Sequence, residues 1–311
     1  MAFDLRSLEH FVTVAESGGF ARAARQLHLT QPTLSRSIAH LEDALGAKLF
    51  TRDTRGTTIT DAGTRFLPHA VSILNEVNRA RDIFDSGSEN RIDQIRLGVS
   101  PILLHTGLPE AIRNTLSDCP HAGVVVSTGT RESLISALRS REIDLIACLI
   151  EGFLTADREN LQGLVFEEVG HEVILPAARP DHPVFTGEET LEAVARLGWA
   201  VPHQMSVSYR FETAFFRRGL PMPIQKLNCA SMSLLHRAML DWSLLGLTPT
   251  RLITQDVEAG RLRTLDIPDL HFPYSVTLLT AKDVLLPETC RHLMRGIRDH
   301  AATAFPARPG P

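Results

Sequence analysis

Residues Gly19 to Arg52, GFARAARQLHLTQPTLSRSIAHLEDALGAKLFTR, hold two short amphipathic helical patterns around a tight turn, then a basic hairpin. In the first pattern Phe20, Ala23, Ala24 and Leu27 recur at i, i+3, i+4 and i+7, one apolar stripe set against a core. The second pattern starts after Thr30, whose hydroxyl can cap a helix. Pro32 is tolerated there because first-turn N–H groups have no intrahelical partner. Along this helix Leu34, Ile38, Leu41 and Leu45 cluster on one side, and Pro32, Ser35, Arg36, Ala39 and His40 on the other. A small, polar outer face with Gln, Thr, Ser and Arg at its N-terminus can enter a major groove and reach base edges and phosphates. Only Asp43, near the far end, breaks that pattern. Taken alone, the pair reads equally well as a helical hairpin with a solvated face.

The flanking residues favour the DNA-reading alternative. Leu8, Phe11, Val12 and Ala15 make a third apolar stripe that ends at Gly18-Gly19, so three helices share a core. After Gly46, Lys48 to Arg52 and Thr57 to Ile59 read as two short strands around Thr54-Arg55-Gly56. That hairpin is a wing, and Arg52 and Arg55 stand where a wing meets the backbone or minor groove. Two solvated surface arginines remain the alternative.

The stretch AESGGFARAARQLHLTQPTLSRSIAHLEDALGAKLFTR, followed by TTITDAG, resembles the winged helix-turn-helix of LysR-type transcriptional regulators over about the first 65 residues. The resemblance implies that Gln31, Pro32, Thr33, Ser35 and Arg36 face the groove of double-stranded DNA, with Arg52 and Arg55 on the wing. Charge permits this without suggesting it. The chain has a formal charge of −4, and residues 1–60 carry seven Lys or Arg against six Asp or Glu, so any phosphate-binding face is local.

Thr60-Asp61 opens a further helix in which Phe66, Ala70, Ile73, Val77, Ala80 and Phe84 are spaced by four and three residues in turn. Such a heptad-like seam favours pairing with a second copy, and packing on the chain's own domains is the alternative. The resemblance, in which a long linker helix pairs two subunits, supports the dimer. Pro68 removes a backbone hydrogen bond and predicts a bend or loosening near Asp61 to Thr64. Residues 85–90 read as a hinge.

From Gln94 onward apolar runs alternate with helical patterns. Ile95–Val99, Val124–Val126 and Leu145–Ile150 form one β-α-β-α-β set; Val173–Leu175, Trp199–Val201, Lys226–Asn228 and Leu244–Leu247 form a second, with helices near Glu188–Arg196, Ser208–Gly219 and Ser231–Leu240. The alternation predicts parallel strands of the doubly wound α/β class in two subdomains. Ser275–Leu279 and a helix from about Pro287 to Ala304 come last and, in the family, return to the first subdomain. The expected division is a winged helix-turn-helix at 1–60, a linker helix and hinge at 61–90, and a periplasmic-binding-protein-like effector domain at 91–311. Within the last, subdomain I takes about 91–165 and 267–305, and subdomain II about 166–266. Residues 306–311 read as a disordered tail.

Such pairs bind ligands beyond the carboxyl ends of their strands, where helix N-termini present free N–H groups. Ser100-Pro101 follows the first strand, and Thr128-Gly129-Thr130 the second. His203 and Ser206 follow a strand of the second set, and Thr248 another. Helix N-termini and hydroxyls suit a small organic anion, to which His203 adds positive charge at lower pH. Plain helix capping is the alternative role for Ser100 and Thr130. Where the family often has a Gly-rich run before Leu-Pro, this chain has Asp241 to Pro249 with its glycines partly replaced, so Trp242 and Thr248 are expected to reshape the floor of the pocket.

No 18-residue apolar run and no apolar N-terminal segment predict membrane insertion or export, which leaves the cytoplasm as the expected location. Cys119, Cys148, Cys229 and Cys290 show no CxxC or zinc spacing and read as buried free thiols, with no metal and no cofactor expected. No GxSxG, HExxH, P-loop or GxGxxG pattern supports catalysis. The reading is thus a ligand-responsive DNA-binding regulator acting on an interrupted inverted repeat. It is a homodimer through the linker helix and a homotetramer through the effector domains, with RNA polymerase a further candidate partner. The alternatives are a ligand-independent DNA-binding protein and an enzyme with a fused DNA-binding module.

Overall fold

A computed structural model describes residues 3–53, 56–84, 92–150, 161–203, 205–282 and 284–304. The chain forms two compact units, residues 1–91 with 135–143, and residues 92–134 with 144–311.

In the first unit, α1 (Leu5–Ser17) is capped by Asp4, which accepts the Ser7 N–H at 2.8 Å, and ends at Gly18 with φ 68°. Then come α2 (Phe20–Gln26) and α3 (Gln31–Leu45), the latter closed by Gly46, also at φ 68°. The wing is an antiparallel pair, β1 (Phe50–Asp53) and β2 (Gly56–Ile59), with Phe50 opposite Ile59. Its first strand starts two residues later than the apolar pattern suggested, because Leu49 is held instead by α3. Leu8, Phe11, Val14, Phe20, Leu34, Ile38 and Leu41 are buried together with Leu49 and Phe50. Burial of each such side chain stabilises by about 1.5–3 kcal/mol.

The linker helix α4 (Asp61–Phe84) runs unbroken through Pro68. Its expected seam divides. Phe66 packs with its ring centroid 5.4 Å from that of Phe11, and Ala70 is fully buried in the same core. These two positions face the chain's own winged module, because α4 must cover the open side of α1. Ile73 and Ala80 are exposed and Val77 half-buried. The side chain of Phe84, the proposed hinge at 85–90 and the tail at 306–311 lie outside the described residues.

The second unit is built on one nine-stranded sheet in the order β4-β3-β5-β11-β6-β9-β7-β8, with the short β10 beside β6. The first set comprises β3 (Asp93–Val99), α5 (Leu108–Asp118), β4 (Ala122–Thr128) and β5 (Leu145–Ile150), with α6 (Arg131–Arg139) between β4 and β5 in the chain and belonging from Ile135 onward to the first unit. β6 (Leu164–Ala178) crosses to the second set: α7 (Leu191–Val194), β7 (Gly198–Pro202), α8 (Met205–Arg217), β8 (Ile224–Cys229), α9 (Met232–Asp241), β9 (Leu245–Pro249), α10 (Thr254–Glu258) and β10 (Arg263–Thr264). β11 (Phe272–Ala281) crosses back, and α11 (Glu288–Ala304) packs on α5.

The doubly wound reading holds within each set, where β3 runs parallel to β4 and β5, and β7 parallel to β8 and β9. It fails between them. β6 and β11 run antiparallel to each other and to β5 and β9, so the sheet is mixed. A strand that leaves one set for the other must reverse against its neighbour, and no crossover helix is needed. The run at Val173 therefore extends over fifteen residues, and the helix expected over 188–196 shrinks to four. The core of the second set centres on Trp199, whose indole N–H donates to the Val194 carbonyl at 3.0 Å while its ring meets Phe211 at 4.8 Å.

Candidate nucleic-acid interface and effector cleft

The turn between α2 and α3 is closed by backbone bonds. His28 N–H reaches the Arg25 carbonyl at 3.2 Å and Leu29 N–H the Ala24 carbonyl at 2.8 Å, with His28 in the left-handed region at φ 54°. Thr30 then caps α3, its hydroxyl 3.4 Å from the Thr33 N–H and 2.8 Å from the Thr33 hydroxyl. Because Leu34, Ile38 and Leu41 are buried, Gln31, Pro32, Thr33 and Arg36 stand exposed in a row, with Ser35 half-buried behind them. Thr33 is already engaged with its cap. Arg52 lies on β1 opposite Thr57, and Arg55 falls outside the described residues.

Two contacts hold this face in place. His10 Nδ1 lies 2.7 Å from the Ser37 hydroxyl and ties α1 to the inner side of α3. Burial, and then the neighbouring Arg6, hold the His10 imidazole below its ordinary value, against smaller opposing effects of Glu9 and Asp4. Glu42, in the last turn of α3 and buried, accepts the N–H groups of Leu49 and Phe50 at 2.9 and 3.2 Å and the Lys48 ammonium at 2.7 Å. The hydrogen bond that it donates to Glu42 holds the Lys48 ammonium above its usual range. Glu42 escaped the sequence reading, although an acid placed between Ile38 and Leu45 on the apolar side was its signal. On the other side of the wing, Thr60 donates its N–H to the Leu49 carbonyl at 2.9 Å and its hydroxyl to the Lys48 carbonyl at 2.6 Å. Its oxygen also caps α4 at the Gly63 N–H, 3.0 Å away.

In the second unit the sequence-derived positions gather in two groups. Val99 pairs with Thr128, which sets Ser100 beside Thr128, Gly129 and Thr130 at adjoining strand ends. Ser100 is buried, its N–H bonded to the Ala147 carbonyl at 3.0 Å, and a 3-10 turn over Pro101–His105 follows it instead of the expected helix. Thr130 acts as a cap, 3.3 Å from the Ser133 N–H. In the other group Thr248 is fully buried opposite Leu175 of β6. His203 follows β7, exposed, with Nδ1 2.7 Å from Asn228 Oδ1. Ser206 falls in the first turn of α8.

A residue that the pattern missed stands between the groups. Glu172 on β6 is 2% exposed, and its Oε1 accepts the Val173 N–H at 2.9 Å and the Thr250 hydroxyl at 2.8 Å. Arg251 Nε lies 3.8 Å from Oε2, which has no hydrogen-bond partner. Burial raises the carboxyl above its usual range, against the opposing effects of these donors and of Arg251. Its sequence signal is an acid directly before the apolar run Val173-Ile174-Leu175.

Among the described residues no group of three or more His, Cys, Asp or Glu could hold a metal ion, and no helix is long and apolar enough to cross a membrane. All four cysteines are free. Cys148 and Cys290 are buried and Cys119 and Cys229 only partly so, and burial pushes the Cys148 thiol up to about 12, which suppresses thiolate chemistry there.

The family model described as "Bacterial regulatory helix-turn-helix protein, lysR family" matches residues 5–64, and "LysR substrate binding domain" matches residues 88–302. The chain is 27% identical to the HTH-type transcriptional regulator YdcI of Escherichia coli K12, over 94% of each chain. It is 28% identical to the SDS degradation transcriptional activation protein of a Pseudomonas species, over 98% of each. Among solved structures, ArgP from Mycobacterium tuberculosis superposes with a TM-score of 0.68 at 16% identity, covering 96% of this chain and 97% of that one. Full-length CbnR in complex with its target DNA superposes with a TM-score of 0.64 at 19% identity, covering 96% and 100%. The family models between them span most of the chain, from the winged module to α11. The protein is therefore a DNA-binding transcriptional regulator and not an enzyme, and it belongs to the LysR family.

Proposed function

We propose that this regulator senses a small organic anion in the cleft between the two strand sets and transmits binding to a paired DNA-reading head. The observation that carries this reading is the register of β6. β5 ends at Ile150, level with His171, and β9 ends at Pro249, level with Ile174, so the carboxyl ends of both sets meet over residues 171–174. Ser100, Pro101, Thr128, Gly129 and Thr130 form one wall of the effector site, and His203, Ser206 and Thr248 the other.

On the DNA side, Gln31, Pro32, Thr33, Ser35 and Arg36 read the major groove while Arg52 and Arg55 contact backbone or minor groove. Two such modules engage an interrupted inverted repeat, paired through the part of the α4 seam that the core leaves open: Ile73, Val77 and Ala80, with Phe84. Effector units then associate into a tetramer through exposed apolar groups, Val125 and Val126 on the edge strand β4 and Tyr209 and Phe216 on α8. RNA polymerase is the partner at a promoter, in the cytoplasm.

The test is a thermal-shift panel of organic acids, aromatic acids and amino acids on the full chain, followed by footprinting of a bound promoter with each hit. A ligand that binds only the folded state raises the unfolding midpoint. Stabilisation by acids with a changed footprint is expected. A broad panel without a hit favours ligand-independent binding.

A further inference from the structure

A hydrogen-bonded line of polar side chains runs from α8 along β8 to the end of β7. Glu212 Oε1 lies 3.1 Å from Gln225 Nε2, Gln225 Oε1 lies 2.9 Å from Asn228 Nδ2, and Asn228 Oδ1 lies 2.7 Å from His203 Nδ1. The β7–β8 register shifts between Trp199 and Ala200, which leaves Lys226 as an extra residue of β8. Residues three apart on a regular strand point to opposite faces, and the bulge lets Gln225 and Asn228 meet.

Such a line has a direction. The Glu212 carboxylate can only accept, so Gln225 offers it the amide N–H and keeps its carbonyl oxygen for Asn228. Asn228 gives its own amide N–H to that oxygen and turns its carbonyl oxygen to the ring. An amide oxygen cannot donate, so His203 Nδ1 carries the proton and Nε2 of the neutral ring is a bare acceptor. Among the described residues Nε2 has no partner. His203 stands exposed just beyond β7, its backbone N–H bonded to the Cys229 carbonyl at 2.8 Å.

Resting on the effector reading above, we propose that Glu212, through Gln225 and Asn228, holds the His203 ring in the form protonated at Nδ1, and that Nε2 accepts a hydrogen bond from a hydroxyl group of the effector. The ligand class narrows from an organic anion to a hydroxy acid. Its two groups need opposite partners: the N–H groups of the wall around Thr130 suit the carboxylate, and a lone pair suits the hydroxyl. A ring with its proton on Nε2 would present a donor and draw the carboxylate instead. Glu212, Gln225 and Asn228 are therefore positioning residues that decide which end of the ligand His203 takes.

The experiment places isotopically labelled histidine in the full chain and reads the ring nitrogens by magic-angle-spinning NMR at about pH 8, where a neutral imidazole shows one protonated and one bare nitrogen. His203→Gln identifies the His203 signals among the 13 histidines. Wild type is expected with Nδ1 protonated and Nε2 bare. The carboxamide of Glu212→Gln can donate, which lets every amide in the line turn over, and the form protonated at Nε2 should rise by about tenfold or more. Asn228→Leu cuts the line at an exposed position and should act in the same sense even where Glu212→Gln disturbs α8. Thermal shift then compares lactate with propionate, malate with succinate, and meta-hydroxybenzoate with benzoate. In each pair that binds, the hydroxy acid should bind wild type about three- to tenfold more tightly and lose that advantage in His203→Phe. Wild-type His203 protonated at Nε2, or ring forms unchanged in both Glu212→Gln and Asn228→Leu, overturns the assignment. Pairs that bind equally well, or an advantage that survives His203→Phe, overturn the hydroxyl contact and leave the effector reading standing. The expected ring forms beside pairs that all fail to bind would remove the effector reading and leave the ring assignment intact.

Discussion

Glu42 Oε1 accepts the Leu49 N–H at 2.9 Å, so the last turn of α3 and the residue that leads into the wing form one hydrogen-bonded unit. With the Phe50 N–H on the same oxygen, a single buried side chain fixes where the wing starts relative to the groove-facing helix. Glu42→Ala leaves two N–H groups without this acceptor and should destabilise the winged module by about 1–3 kcal/mol. Glu42→Gln, which keeps an acceptor oxygen, should recover most of that. Urea titration followed by helical circular dichroism checks both, and equal losses for the two variants would refute the acceptor role.

Arg36 and Arg52 should fail differently. If Arg36 meets a base edge, Arg36→Ala costs roughly 1–3 kcal/mol of specific binding and relaxes preference at one position, whereas Arg52→Ala weakens binding evenly and lowers the salt slope by about 1. Gel-shift series over specific and scrambled duplexes at several salt concentrations separate the two. No loss for Arg36→Ala would sink the base-reading assignment.

Gly63 has no room for a side chain. A Cβ there would lie 2.4 Å from the Leu49 carbonyl oxygen and 2.7 Å from Ile59 Cγ1. Gly63→Ala should therefore push α4 off the wing and destabilise by about 1–3 kcal/mol, although alanine is the better helix former. The same urea titration measures this, and a stabilised variant would show that the close approach is absent.

His10 gives the winged module a pH dependence of known sign. Its folded-state value is depressed by burial, so the unfolded chain takes up the proton first, near the ordinary value of about 6.5. The stability it contributes is complete above that pH and falls as pH drops below it. Hydrogen-exchange protection of α1 and α3 amides, corrected for intrinsic rates, should decline between about pH 7 and 5 in the wild type and less in His10→Gln. Parallel profiles would remove His10 as the cause.

The residues that sequence periodicity exposes are those whose environment is one-sided. Leu34, Ile38 and Leu41 have a single apolar stripe to bury, and the strands of both sets are short runs of the kind that parallel pairing requires. The heptad spacing from Phe66 to Phe84 was ambiguous for a physical reason. Spacing says that a face is covered, not by what, and α1 claimed Phe66 and Ala70. Strand direction at β6 and β11 was hidden because an apolar run reads alike in either orientation. Glu42 and Glu172 were missed because each is an isolated acid whose partners come from another part of the fold: the start of the wing for Glu42, and for Glu172 the side chain of Thr250, 78 residues away in sequence.

Between the levels of Ile150 and Pro249, only β6 and β11 remain paired with each other, and a register shift falls nearby at Val276/Thr277. Mechanically, this is a two-stranded isthmus joining two broad plates. Twist and bend between the plates concentrate in a few peptide units there, since rotating about this neck breaks no other ladder bonds, whereas deforming either plate would strain a whole row of them. A given bending load would therefore turn one plate against the other through the largest angle at this neck.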